Sequence, residues 1–284
     1  MKQTTKRMFT LSVLLVAATV CAAAQTRVST ALSKQLIAGE SYIWYMQHSG
    51  WAIRTKNHFL VFDYIGDGMP IGSRTLADGI VNPDEIKKHQ VTVFVTHGHN
   101  DHYSEQIFDW GKTIANITYV FGWNLPKSGN YFRLEPRQKK PINGIDVETI
   151  ISTDLGVGFL VKVDGLSIFH AGDHAKWAET FKAAYEAEID LIANASPKID
   201  ILFVPIAKGM SCEPNESILD GAYFAIRKLR PKAAFPMHVR CADKIGLYRE
   251  FAENGAKHSL RSSIFFPERP GQIFQYTDSR LVVQ

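Results

Sequence analysis

Cysteine is nearly absent. Three occur in 284 residues, at positions 21, 212 and 241, too few for a disulfide-stapled framework. Long apolar runs are lacking too. The apolar-rich stretch from Met8 to Val20 is shorter than the roughly 20 residues a membrane span requires, so stable membrane insertion is not expected. Positive charge is in small excess, +4, and Lys2, Lys6 and Arg7 supply three of it. No internal repeat, low-complexity tract, linker or block of like charge appears, so nothing marks a second domain or a nucleic-acid partner. What remains, 45% hydrophobic and 21% charged, suits an ordinary globular core.

The N-terminus reads separately. A basic start, the apolar stretch, and then Ala22-Ala23-Ala24 follow the order of a secretory signal peptide. Cleavage is expected after Ala24, leaving residues 25–284 as one domain of net charge +1, periplasmic or secreted. A retained anchor is the alternative. In an oxidising compartment Cys212 and Cys241 are open to pairing, to staying free, or to serving a metal.

Strands are expected at 42–47, 52–55 and 58–63, then at 91–95 and 117–121, with a short helix after His102. Residues 122–145 read as an irregular excursion. Asp164-Gly165, between the apolar runs 158–163 and 166–170, is a hairpin turn. A helix over 176–193, a strand over 201–206, a helix over 216–229, a strand over 233–238 and a helix capped by Asp243 and running to Phe251 complete the order. Strands first, then strands interleaved with helices, give an α/β class: two facing sheets with helices outside, an αββα sandwich.

Chemistry concentrates at the end of VTVFV. VTHGHNDH places His97, His99, Asp101 and His102 within six residues. Imidazole and carboxylate suit zinc, manganese or iron. His97 and His99 share a face of extended backbone, and Asp101 and His102 lie where the chain has turned, so the loop can aim donors at one ion or two.

HGHNDH resembles the HxHxDH signature of the metallo-β-lactamase superfamily, whose fold is this sandwich. Asp63, which ends FLVFD, resembles the aspartate that buttresses the metal loop. Asp173 in FHAGDH resembles the aspartate bridging two metals, and His238 in PMHVR the last histidine ligand. The GDH, PIAKGM and PMH elements look most like the branch containing ascorbate-6-phosphate lactonase. The resemblance implies a metal-dependent hydrolase with one or two divalent ions, zinc first and manganese or iron as alternatives. In it a metal-bound hydroxide, oriented by Asp101, attacks an ester, lactone, amide or phosphoester of a small molecule. The alternatives are a catalytically inactive metal-binding protein and a true β-lactamase.

One departure stands out. The family places a further histidine before the strand matching GFLVKV, and here the stretch is ISTDLGVGF. Asp154, Ser152 or Thr153 is expected to stand in, Asp154 foremost. His48 is open between an extra ligand, a substrate contact and a structural hydrogen bond. His170 and His174, flanking Asp173, are expected to orient ligands rather than bind metal themselves, and Cys241 is a further candidate ligand. Trp51, Trp123 and Trp177 read as core or rim packing, and Lys208, Met210 and Arg240 as candidate pocket lining. His58, His89 and His258 read as surface residues.

Overall fold

The computed structural model describes residues 22–125, 129–209, 213–241, 243–257, 260, 263–277 and 280–284. Most of the expected leader, with Met210, Cys212 and His258, lies outside them.

Two mixed sheets face each other. The first contains β1 (Ser41–Gln47), β2 (Gly50–Arg54), β3 (His58–Phe62), β4 (Gln90–Val95), β5 (Ile117–Phe121) and β6 (Phe132–Arg133) in that order. Beyond β1 it continues with β14 (Ile273–Thr277) and β15 (Arg280–Val283). The second holds, as sequential neighbours, β7 (Lys139–Ile142), β8 (Ile145–Ile151), β9 (Val157–Val163), β10 (Leu166–His170), β11 (Ile201–Gly209), β12 (Ala233–Val239) and β13 (Ser263–Ile264).

Alternation along the strands explains the layers. Ile43, Tyr45, Trp51, Ile53, Leu60, Phe62 and Phe94 point into the space between the sheets. Their neighbours Tyr42, Trp44, Ala52, Phe59, Val61, Val93 and Val95 form a second core on the outer face of the first sheet. Helix α1 (22–33) covers that face through Val28 and Ala31. Helix α2 (Pro83–Ile86) contributes Ile86, and a 3-10 helix at Glu105–Lys112 adds Ile107 and Trp110. On the far face of the second sheet lie α3 (Lys182–Ala195), α4 (Glu216–Leu229) and α5 (Lys244–Lys257), packed on β8, β11 and β12 respectively. The expected αββα sandwich is the observed fold. Among the described residues no helix is long and apolar enough to cross a membrane.

Several boundaries differ from expectation. The excursion at 122–145 contains β6 and β7, and β8 and the C-terminal pair β14–β15 were not anticipated. β7 is an edge strand of three exposed residues and one buried one, so it carries almost no apolar signal. The helix expected from 176 begins at Lys182, after a 3-10 turn at Glu179–Phe181. Asp243 does cap α5, accepting from the Gly246 N–H at 3.2 Å, but the helix runs on to Lys257.

Asp164-Gly165 forms the β9–β10 turn, with φ of 48° and 82°, the positive pair a two-residue primed turn requires. Its carboxylate also ties the sheets together. It accepts from Thr55 Oγ1 at 2.6 Å, Asn57 N at 2.7 Å and Asn57 Nδ2 at 2.6 Å, and lies 3.1 Å from His58 Nδ1. His58 is therefore a buried member of this network and not a surface residue. Burial opposes ionisation of Asp164, but the Thr55 and Asn57 donors hold its pKa below the ordinary value. A depressed carboxylate contributes stability above its unfolded pKa of about 4, and that contribution fades as pH falls. Asp164→Ala is expected to cost about 3 kcal/mol at pH 7 and clearly less at pH 3, read by urea unfolding at both pH values. An equal cost at both would show that the charge does not matter.

Candidate metal centre

The candidate site lies at the C-terminal ends of parallel strands from both sheets. β3 and β4 pair in parallel, as do β10, β11 and β12. Asp63 follows β3, the His97–His102 loop follows β4, Asp173 follows β10, and His238 is the penultimate residue of β12.

Asp63 is fully buried and fastens the loop. It accepts from Thr96 N and Thr96 Oγ1, both at 2.8 Å, and from His102 Nδ1 at 2.7 Å. That last bond turns His102 Nε2 towards Asp173. His238 is set in the same way, its Nδ1 donating to the Ala207 carbonyl at 2.9 Å. Fixing one ring nitrogen to aim the other is how histidine ligands are oriented.

Asp173 is the hub. Its Oδ1 lies 3.0 Å from His102 Nε2 and 3.1 Å from His238 Nε2, and its Oδ2 lies 3.3 Å from His97 Nε2. His97 Nε2 is in turn 2.9 Å from His99 Nδ1. His48, in the β1–β2 turn, sets its Nε2 3.4 Å from Asp101 Oδ2 and its ring 4.5 Å from that of His238. The Tyr45 hydroxyl holds His48 by accepting its backbone N–H at 3.0 Å. Three of these residues sit at positive φ: His48 at 50°, Asp63 at 43° and His238 at 69°. Such backbone strain concentrates at functional sites.

Three overlapping donor sets result: His48, Asp101, His102 and His238; His97, His102 and Asp173; His99, Asp154 and Asp173. Within each set the donor atoms lie within 4.8 Å of one another. Both ring nitrogens of His48, Nε2 of His102, Oδ1 of Asp173 and Nε2 of His238 are buried without a hydrogen bond. Buried polar groups are ordinarily bonded, so orphans aimed at common points fit a cation.

The electrostatics agree. Burial lowers the His48 pKa to about 4 in spite of Asp101, which keeps the ring neutral as metal ligation demands. Burial also opposes charge on His102, but the carboxylates of Asp63 and Asp173 outweigh it and raise this pKa to about 10. A proton there competes with a cation. Contact with His48 holds Asp101 well below the usual carboxylate range.

The cluster opens into a cleft of about 480 Å³ lined by His99, Asp101, Thr153, Asp154, Asp173, Trp177, Phe181, Lys208, Gly209 and His238. A family profile described as "Beta-lactamase superfamily domain" matches residues 42–238, from β1 through this last histidine. The chain belongs to the metallo-β-lactamase superfamily. Among relatives, it is similar to the UPF0173 metal-dependent hydrolase YtkL of Bacillus subtilis, 26% identical over 215 residues, 69% of this chain and 84% of that protein. The UPF0173 metal-dependent hydrolase Ta0764 of Thermoplasma acidophilum is 26% identical over 216 residues, 72% of this chain and 84% of its own. Of solved structures, Igni18, a metallo hydrolase from Ignicoccus hospitalis, superposes with a TM-score of 0.60 at 18% identity, covering 84% of this chain and 99% of that one. CmlA, a diiron β-hydroxylase from Streptomyces venezuelae, gives 0.57 at 11% identity over 89% of this chain and 55% of that one, a likeness of fold alone.

Against the superfamily pattern, the structure brings His97, His99, Asp101, His102, Asp173 and His238 together, with Asp63 behind them. It adds His48, which occupies the turn beside His102 and His238. Where the family's further histidine is missing, Asp154 faces His99 and Asp173. Ser152 and Thr153 do not substitute: the Thr153 hydroxyl donates to the Ala175 carbonyl at 2.7 Å, and Ser152 Oγ accepts from Asp154 N at 3.2 Å.

Two expectations are corrected. His174 does not orient a ligand: it stacks on Tyr185 at 4.7 Å, with Nε2 3.2 Å from the Tyr185 carbonyl, because the chain turns at Gly172 and sends it towards α3. His170 differs and stays behind the donors. Its Nε2 donates to the Ser49 carbonyl at 2.9 Å and its ring stacks on Phe62, so it braces the His48 turn. Cys241 is disulfide-bonded, and its sulfur is thereby removed as a metal donor. Trp51 is core packing as expected, while Trp177 lines the cleft and donates its indole N–H to the Asp173 carbonyl at 3.1 Å.

Proposed function

We propose that this chain is a metal-dependent hydrolase that cleaves an ester, lactone, amide or phosphoester bond of a small molecule in the cleft beside Asp173. The observation that carries the reading is the set of buried, hydrogen-bond-orphaned donors from His48, His102, Asp173 and His238 opening onto that cleft. His97, His99 and Asp154 would hold one divalent ion and His48, Asp101, His102 and His238 another, with Asp173 shared. The nitrogen-and-oxygen donor set suits zinc and also manganese or iron. When bound, such an ion supplies Lewis acidity and lowers the pKa of its water towards about 7. Asp101, part-exposed at the cleft, would orient the attacking water while helping to hold the second ion. His99 and Asp154 are exposed on the open side, where substrate enters. The lactone is the finer form of the proposal, supported by the likeness of the FHAGDH, PIAKGM and PMH elements.

The test is turnover of p-nitrophenyl acetate, bis(p-nitrophenyl) phosphate and a γ-lactone by protein stripped with a chelator and reloaded with zinc, manganese or iron. Activity lost on stripping and restored by one metal is expected. Turnover indifferent to chelation, or no bound metal, would overturn the proposal. Asp154→Ala is expected to weaken one of two ions by about 10- to 100-fold while leaving the other unchanged, by calorimetric titration of the stripped protein. Two unaltered sites would remove Asp154 from the ligand set.

A further inference from the structure

β11 buries eight of its nine residues and exposes one, Lys208, which lines the cleft. The strand leads Lys208 there because Gly209, at φ 57°, turns beside His238: a Cβ on it would sit 3.6 Å from His238 Cε1. Apart from histidines, the other charged side chains lining the cleft are aspartates. Those at 101 and 173 face imidazoles. Lys208 makes no ion pair among the described residues. Lys176, close to Asp173 in sequence, differs: it is buried and engaged by Glu179 and Asp220. The cleft also presents the Trp177 ring and Phe181, which is 37% exposed. One unpaired cation and two aromatic surfaces thus share a wall with the donor cluster.

We infer that Lys208 is a specificity-determining residue that receives an oxyanion of the substrate. The substrate class is a small organic anion, carboxylate or phosphate, with an apolar body that packs on Trp177 and Phe181. The inference rests on the hydrolase reading of the cleft, and the cleft's roughly 480 Å³ accommodates such a molecule. An exposed ion pair contributes little by itself. In a recessed wall beside the reacting bond the same charge fixes orientation and discriminates against neutral analogues.

The experiment compares three ligands of equal body: 3-phenylpropionate, 3-phenylpropyl phosphate and 3-phenylpropanol. Binding to zinc-reloaded protein is measured by calorimetry, alongside metal stoichiometry. The wild type is expected to hold at least one anion about tenfold more tightly than the alcohol, and Lys208→Ala and Lys208→Gln to erase most of that ratio with the metal count unchanged. The anion that loses more on substitution identifies the oxyanion. A ratio unchanged in Lys208→Ala shows the anion resting on the metal alone and overturns the inference, as does a wild type without preference. Lys208-dependent binding together with absent turnover of the three generic substrates would instead sink the hydrolase reading and leave the anion site standing.

Discussion

Asp173→Asn is expected to lower turnover by about 100-fold or more and to deplete bound metal, with the fold retained. The substitution keeps size and shape but removes the charge. That charge is what links the donor sets: one carboxylate oxygen meets His102 and His238 and the other meets His97. Partners one step behind a metal ligand cost about 10- to 100-fold when lost, and a shared ligand sets a floor above that range. Metal content by elemental analysis, activity, and circular dichroism read the three parts separately. His174→Gln is the matched control. It stands next in sequence, yet its ring lies against Tyr185, so it is expected to lower stability and leave metal content intact. Full metal occupancy in Asp173→Asn would break the assignment of Asp173 as hub.

These two neighbours show what was legible in the sequence and what was not. His97, His99, Asp101 and His102 stood out because four ligand-type side chains end one apolar strand. Asp63, Asp173 and His238 were legible through the resemblance to the metallo-β-lactamase pattern, which they continue in the same order along the chain. A strand-end position says that a side chain reaches the rim of a sheet. It does not say which way the chain then turns. His170 lies three residues before Asp173 and His174 one after, yet β10 carries the first onto Phe62 while the positive φ at Gly172 sends the second towards α3. His48 was ambiguous for a related reason: its place depends on a two-residue turn braced by His170 and Tyr45, contacts 122 and three residues away. The sandwich itself was readable from the order of strands and helices, whereas β7 was not, being an exposed edge whose pairing comes from β8.

Gly156→Ala should be among the most damaging single-methyl substitutions in the molecule. Gly156 has a φ of 69°, and a Cβ there would lie 2.0 Å from the Thr96 carbonyl oxygen and 2.7 Å from His97 Cβ. Neither neighbour can yield cheaply. Thr96 is bound twice by Asp63, and its carbonyl accepts the Val157 N–H at 3.2 Å, latching β9 to the metal loop. Left-handed backbone costs a non-glycine residue about 1–2 kcal/mol, and overpacking adds about 1–3 kcal/mol or more. Together they predict a loss of about 2–5 kcal/mol, a melting temperature lower by about 10 °C. Metal affinity should fall as well, because relief of the clash pushes His97 away from Asp173 and shifts the stretch that carries Asp154. Gly68→Ala separates strain from collision: Gly68 has a φ of 77°, but nothing lies within 4 Å of the point its new methyl would occupy. It should therefore lose only the backbone share and keep its metal. Equal losses in the two variants, or Gly156→Ala protein with wild-type metal affinity, would mean that the His97 loop does not depend on the close approach of β9.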